Sequence, residues 1–561
     1  MKEKIQKFFK EEGLYLGILL FLTLCFMVPY YAEGFPNAPE NDFHYARITS
    51  MVESLKMGMF PPKLRPMLML EFGYGVGFFY PDFFFYFPAA LILIGMDPTL
   101  AIKIFIAIVT VIGVIMTYKS LSWFIKDKII ALVSTILYFG TLCMWENLFL
   151  GGGFGAYIAE VALPMALCGL IRAFDDETKG YIAYGVGIVI VVLSHHLTFI
   201  SMMVAMVLIV LLNIKKITAN PRMFGKLFGV SMAGLFFTTQ YWLPAIELAV
   251  HTKFKVIYDN YIDINDHILS FADVIRQISV PFFILFVFAA ICFIYLMVKN
   301  KKIYYDALVL LIVTIFHIGL MRSEPFWRGP VGQFFSFFQS TSRLIYVLMA
   351  VLIIFVAMVL DILVKDLRSS GKEIKLSPVI LLLCSVVLIL ATRMYLKPDF
   401  WNTESYGRQI LEADLIKHNQ GISCGEWLPV ENEPSECHDP NNALASDGTS
   451  ADGFKHDNGR YFEVWLNLDK EYYDMPYIYY YGYRAYILDE NDNPVKELKV
   501  GEAYDDNGYV RVFMPEGETG VAHVMVIYKK TLLQKIAYVV TLVTTLAFIG
   551  FLIMRKRRSL K

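Results

Sequence analysis

In Glu40-Asn41-Asp42-Phe43-His44-Tyr45-Ala46-Arg47-Ile48, two carboxylates, an imidazole and a guanidinium crowd together directly after the first apolar run of the chain. Ionisable groups at bilayer depth or at its rim must be paired or hydrated, and they mark a functional site by default. A carboxylate there can take a proton from a hydroxyl. His44 and Arg47, three apart on one helical face, can orient that carboxylate or hold an anion. The segment is read as catalytic. The competing readings are that Asn41 or Asp42 caps a helix beginning near Phe43, and that His44 and Arg47 anchor that helix at the headgroups.

The elements that must position these groups are membrane helices. The chain has 561 residues, 57% of them hydrophobic, with a mean hydropathy of +0.51, beyond the range of ordinary soluble proteins. The net charge of −1 averages over positive charge segregated by loop, and nothing points to nucleic acid. Apolar runs able to cross roughly 30 Å of hydrocarbon fall near 14–32, 98–120, 128–146, 157–175, 181–196, 197–213, 227–247, 277–298, 304–320, 342–363, 377–395 and 532–554. The first is not a cleaved signal, because Tyr30 stands where a small residue should precede Ala32.

The stretch 83–95 is short, and positive charge decides its place. If it lies in the interface, the basic clusters from Lys2/Lys4/Lys7/Lys10 to Arg555/Lys556/Arg557/Arg558/Lys561 all face the cytoplasm. Twelve spans with both termini cytoplasmic follow, placing 33–97 and 396–531 outside. The latter alternates short apolar runs with turn signals, as in Tyr477-Ile478-Tyr479-Tyr480-Tyr481 and Tyr509-Val510-Arg511-Val512-Phe513, and predicts a β-rich domain. Cys424 and Cys437 fall together in it, where a disulfide is permitted. Gly151-Gly152-Gly153-Phe154-Gly155 lacks the Gly-Lys-Ser/Thr ending of a phosphate-binding loop. With no nucleotide-binding unit, an activated donor lying in the membrane on a lipid carrier meets the chemical need.

The acidic motif with His and Arg on an amphipathic helix, then Phe72-Gly73-Tyr74-Gly75 and Phe79-Tyr80-Pro81-Asp82 leading into 83–95, resembles the GT-C membrane glycosyltransferases. The branch it most resembles is the bacterial membrane-protein family labelled pyruvoyl-tetrahydropterin-synthase-related. Gly425-Glu426-Trp427-Leu428-Pro429 and Tyr479-Tyr480-Tyr481-Gly482-Tyr483 extend the likeness to the outer region. The resemblance implies an enzyme that transfers a sugar, with inversion, from a polyprenyl-phosphate carrier to a cell-envelope acceptor on the outer face.

Transferred residue by residue, the resemblance makes Asp42 or Glu40 the base, the register leaving both open. Lys63, Arg65 and Arg343 are the candidates for holding the leaving phosphate, since Lys and Arg bind it by charge. Arg343 lies in Gln339-Ser340-Thr341-Ser342-Arg343-Leu344 and lacks the family's aromatic-proline context. Tyr80 and Asp82 match the family's Tyr-Pro-Asp. Asn147-Leu148-Phe149 matches the second-loop pattern, but Gly151 and Ala156 replace its Arg and Glu, which leaves Glu160 or Glu146 to supply the charge. His195 and His196, at an outer span junction, suit a proton relay, a phosphate contact or a turn cap. Asp263, Asp266 and His267 read as a hydrated loop, so no metal is required, although a divalent cation fits some relatives.

The expected fold class is an all-α polytopic domain of about twelve transmembrane helices (1–395), an extracytoplasmic β-rich domain (396–531), and a last helix with a basic cytoplasmic tail (532–561). The partners are the polyprenyl-phosphate-linked sugar, the acceptor and the bilayer. Two rival functions stay open: a lipid or polysaccharide transporter or flippase, and a non-catalytic assembly protein on a GT-C scaffold.

Overall fold

A computed structural model describes residues 2–31, 38–258, 263–370, 425–430, 439–503 and 507–559. The chain divides into two compact units, one from 1–41, 99–235 and 262–409 and one from 42–98, 236–261 and 410–561. Cys384, Cys424 and Cys437, and the expected span 377–395, lie outside the described residues.

The first unit is helical. Its longest apolar helices are Pro98–Leu121, Phe154–Ala173, Val280–Asn300 and Thr341–Ser369. Small residues bring neighbours into backbone contact. A Cβ on Gly169 would lie 2.4 Å from the Tyr184 nitrogen, and one on Gly187 would lie 2.5 Å from the Ala166 Cβ, so helices Phe154–Ala173 and Thr178–Val192 lie against each other. The run near 128–146 is a bent pair, Lys128–Phe139 and Leu142–Leu150, meeting at 52°. Asp127 opens it by accepting from the Ile129 and Ile130 amides at 3.0 and 3.4 Å. It closes in a single π turn over Glu146–Leu150.

The second unit carries a closed antiparallel barrel. Its strands are β1 (Asn442–Ala445), β2 (Ser450–His456), β3 (Tyr461–Asn467), β4 (Tyr472–Ile478), β5 (Tyr483–Leu488), β6 (Pro494–Glu502), β7 (Tyr509–Phe513) and β8 (Val521–Tyr528), in the spatial order β1-β2-β3-β8-β5-β6-β7-β4. Alternation sends Phe462, Val464, Leu466, Val510, Val512, Val524 and Val526 inward, and closure leaves no unpaired edge. The loop after helix Asn41–Lys56 packs on the barrel. The Ile478 amide donates to the Phe72 carbonyl at 2.9 Å, Phe72 stacks on Tyr509, and Lys455 donates to the Glu71 carbonyl. The last helix, Leu532–Ser559, is tied by Thr531 and Gln534, which donate to the buried Glu247 carboxylate at 2.8 and 3.2 Å.

The twelve spans expected from apolar runs are not confirmed by helix length among the described residues. Five described helices are long and apolar enough to cross a membrane, or up to six if the bent pair is one span. Thr178–Val192, His196–Leu212 and Tyr305–Met321 are apolar but run only 15 to 17 residues. At about 1.5 Å per residue they reach roughly 22–26 Å. The run near 227–247 is divided at Thr238 into helices Pro221–Phe237 and Thr239–His251. Apolar content does not report such interruptions. The stretch 83–95 forms a 3-10 turn, Phe83–Phe85, and a helix, Tyr86–Leu93. The apolar helices mark a membrane protein.

Candidate functional site

In the second unit, helix Asn41–Lys56 carries Asp42 in its first turn and Arg47 one turn further on. Asp82 occupies the N-cap position of the turn Phe83–Phe85 but makes no capping bond. Its carboxylate instead joins two guanidiniums: Arg47 Nη2 donates to Oδ1 at 2.7 Å and Arg65 Nη2 to Oδ2 at 2.6 Å. All three side chains are nearly dry, at 2% exposure for Arg47, 0% for Arg65 and 5% for Asp82. Arg47 Nη2 also donates to the Pro81 carbonyl at 3.0 Å, and Nη1 donates to His44 Nδ1 at 3.1 Å. Its guanidinium lies over the rings of Phe85, Tyr80 and Phe43 at 4.7, 5.0 and 5.4 Å.

Lys63 completes the cluster. Its ammonium approaches the Tyr241 ring at 6.0 Å, and no described carboxylate pairs with it. Burial works to raise the Asp82 carboxyl, but the charges of Arg47, Arg65 and Lys63 outweigh it and hold that carboxyl below the usual range. Burial draws the Lys63 ammonium down to about 8; Asp82 opposes the shift, and Arg65 and Arg47 add to it. Three cations therefore surround one carboxylate, and Arg65 Nε and Nη1 have no hydrogen-bond partner among the described residues. With its carboxyl held below the usual range and bonded to two guanidiniums, Asp82 is a poor proton acceptor. It acts as a fixed counter-charge.

Gly77 permits this convergence. A Cβ there would lie 2.7 Å from the Lys63 carbonyl and 2.9 Å from Asp82 Oδ2. Gly77→Ala is expected to part Lys63 from Asp82 and lower the thermal midpoint, at about 1–3 kcal/mol for overpacking. Differential scanning fluorimetry beside the wild type checks it.

Around the cluster, Tyr80 donates to Glu426 Oε2, and Phe79 stacks flat on Trp427 at 4.0 Å. Residues 426–430 are held by backbone pairing with 253–256, as in Lys255 N donating to Leu428 O at 3.0 Å. Glu426 is a site residue that the sequence reading passed over. It belonged to a quoted motif, but nothing in the spacing linked it to Tyr80.

A second group lies within the first unit. Asn147 Nδ2 donates to Glu160 Oε1 at 3.0 Å, leaving Oε2 buried without an oxygen or nitrogen partner among the described residues. Tyr346 Oη donates to Asn147 Oδ1 at 3.4 Å, and the charges of Glu160 and Arg343 both act on that hydroxyl. Arg343 itself donates to Gln339 Oε1 at 2.6 Å. Glu40 is exposed; its amide donates to the Gly151 carbonyl at 2.9 Å. A Cβ on Gly153 would lie 3.0 Å from Asn147 Oδ1 and 3.6 Å from Glu40 Oε2, so the glycine loop lets Glu40 and Asn147 converge. Tyr346 is the residue missed here, and Asn147 was visible only as part of the second-loop pattern, with no role of its own.

The expected site residues thus fall into two sets. His44, Arg47, Lys63, Arg65, Tyr80 and Asp82 come together in the second unit. Glu40, Glu160 and Arg343 do so in the first. His195 acts as a helix cap, its Nδ1 accepting from the Thr198 amide at 3.3 Å, and His196 follows it at the start of the helix. Among the described residues, no three His, Cys, Asp or Glu side chains form a group that could hold a metal ion.

No family model matches the chain. An uncharacterized protein of Lactococcus lactis subsp. cremoris (strain MG1363) is 26% identical over 179 residues, which is 31% of this chain and 28% of that protein. Among solved structures, the Archaeoglobus fulgidus oligosaccharyltransferase in the apo form is similar at a TM-score of 0.40 and 12% identity, over 74% of this chain and 56% of that one. The archaeal oligosaccharyltransferase AglB from the same organism, in complex with an inhibitory peptide and a dolichol-phosphate, gives 0.38 and 13% over the same shares. A third structure of the A. fulgidus enzyme, with Zn and sulfate, gives 0.36 and 13%, over 72% of this chain and 53% of that one. The chain therefore spans little over a quarter of its bacterial relative and about half of the archaeal enzyme. The pyruvoyl-tetrahydropterin-synthase-related label finds no support in these comparisons. Likeness at these levels assigns no activity to the chain.

Proposed function

We propose that the protein is a membrane glycosyltransferase that moves a sugar from a polyprenyl-phosphate carrier to a cell-envelope acceptor on the outer face, with inversion. The observation that carries this reading is the excess of fixed positive charge at Lys63, Arg65 and Arg47 over Asp82, with Lys63 only half-buried and engaged by no described carboxylate. Such a cluster suits a phosphate.

In the proposed step, an acceptor hydroxyl attacks the anomeric carbon and the carbon–oxygen bond to phosphate breaks. The electron pair leaves with the phosphate, and Asp42 or Glu40 takes the proton. Fixed cations stabilise the departing charge where it develops. No covalent enzyme intermediate and no metal is required by these parts.

The test is binding of polyprenyl phosphate to the full-length protein in nanodiscs. Lys63→Ala is expected to weaken it about 10- to 100-fold, as for loss of one charge-assisted contact of about 1.5–3 kcal/mol. The sign of the pH dependence follows from Lys63. Its ammonium is charged below about 8, so affinity should be highest near pH 7 and fall towards pH 9, where a phosphate monoester is already dianionic. Lys63→Ala should remove that slope. Equal binding by wild type and Lys63→Ala at pH 7 would refute the phosphate role.

The 52° bend between Lys128–Phe139 and Leu142–Leu150 favours a second reading, transport of a lipid-linked glycan, because broken helices frame transporter sites. Movement of labelled lipid across vesicles without any transfer from a donor panel would decide for it.

A further inference from the structure

We propose that the outward face of β2, β3 and β8 binds a saccharide chain bearing free amino groups. Inward alternation on β3 leaves Tyr461, Glu463 and Trp465 pointing out. Strand register sets His456 opposite Tyr461, Phe454 opposite Glu463 and His523 opposite Trp465, so the six form three adjoining rows. The rings lie flat at both ends: His456 on Tyr461 at 4.8 Å and 6°, and His523 on Trp465 at 4.6 Å and 12°. Between them stands the Glu463 carboxylate, 2.9 Å from His456 Nε2 and 3.7 Å from His523 Nε2.

Trp465 is 63% exposed and Phe454 is 64% exposed, an unusual display of large apolar surface around a carboxylate. A bilayer does not match this face, because Glu463 and two imidazoles at its centre would have to leave water. A sugar ring does, having C–H faces for the aromatic planes and polar edges for the carboxylate and imidazoles. Two steps of a strand, from Tyr461 to Trp465, cover about 13 Å, so the face spans more than one ring of a chain.

Charge selects among saccharides. The carboxylates of Glu463, Asp457 and Asp492 all act on the Tyr461 hydroxyl, with Arg460 the opposing charge. Asp452, two residues before Phe454, shares the outer face of β2. An ammonium-bearing sugar satisfies both this acidity and the exposed indole, over which a cation is attracted.

The test uses the full chain in nanodiscs and three probes, a glucosamine hexamer, its fully N-acetylated counterpart and a lysine hexapeptide, with binding read by calorimetry. The glucosamine hexamer is expected to bind at least tenfold tighter than the acetylated one. Trp465→Ala and Glu463→Gln should each weaken it about tenfold without moving the thermal midpoint. Binding of neither hexamer, equal binding of both, binding that survives both substitutions, or equally tight binding of a lysine hexapeptide would each overturn the proposal. Polyprenyl phosphate binding in the same nanodiscs is governed by Lys63, so failure here is separable from failure of the transferase reading.

Discussion

Asp42→Asn is expected to lower sugar transfer from a labelled polyprenyl-phosphate donor by about 10²- to 10⁴-fold, the usual range for loss of a positioned general base. Asp42 is half-buried in the first turn of helix Asn41–Lys56, where the helix dipole favours a carboxylate. Glu40 is the rival, more exposed and just ahead of the helix, with its oxygen beside the side-chain-free Gly153. Glu40→Gln made separately distinguishes them. The base is the residue whose amide variant loses the larger factor while polyprenyl phosphate binding is kept, since neither change removes a cation of the Lys63 cluster. Full transfer by both variants would end the assignment of a base to this segment.

Asp82→Asn should be the most destabilising single change in the second unit. It leaves Arg47 and Arg65 buried with no neutralising charge, and breaking a buried pair from one side costs about 3–5 kcal/mol. Thermal unfolding followed by intrinsic fluorescence gives the measurement. Replacing Arg47, Asp82 and Arg65 together by apolar residues of similar volume should restore much of the loss, because no charge then remains to be desolvated. That triple variant should still fail to bind polyprenyl phosphate. If it binds as the wild type does, the cluster is a structural tie alone. Acid supplies a second check. The Asp82 carboxyl is held below its ordinary value of 3.8, so its contribution is complete above that value and disappears as pH falls through the lower folded-state pKa.

The amino-acid order alone makes several features readable, and each comes from a local signal. The apolar runs announce membrane helices, and the alternation around Tyr509-Val510-Arg511-Val512-Phe513 announces strands, which the barrel contains as β7. The lysine and arginine positions near Tyr-Pro-Asp were visible as charge in an apolar context. What remained hidden depends on distance in the chain. Nothing in the spacing showed that Asp82 would be shared by Arg47 and Arg65, or that Gly77 would leave room for it. Interruptions within apolar runs were hidden for a related reason, since hydropathy does not register the break at Thr238 or the shortness of helices such as Thr178–Val192.

By itself, then, the sequence determined a chain rich in apolar helices, a β-rich segment near its C-terminus, and the residue types able to accept a proton and hold a phosphate. Only the tertiary structure decided which of those charges meet, that Asp82 is the shared counter-ion of Arg47 and Arg65, and that Lys63 is the cation without a carboxylate partner among the described residues. The physical reason is that periodicity and propensity act over a few residues. Pairing of buried charges is a long-range choice, fixed by which side chains the folded backbone brings within hydrogen-bond reach and by the cost of leaving any of them alone in a dry interior.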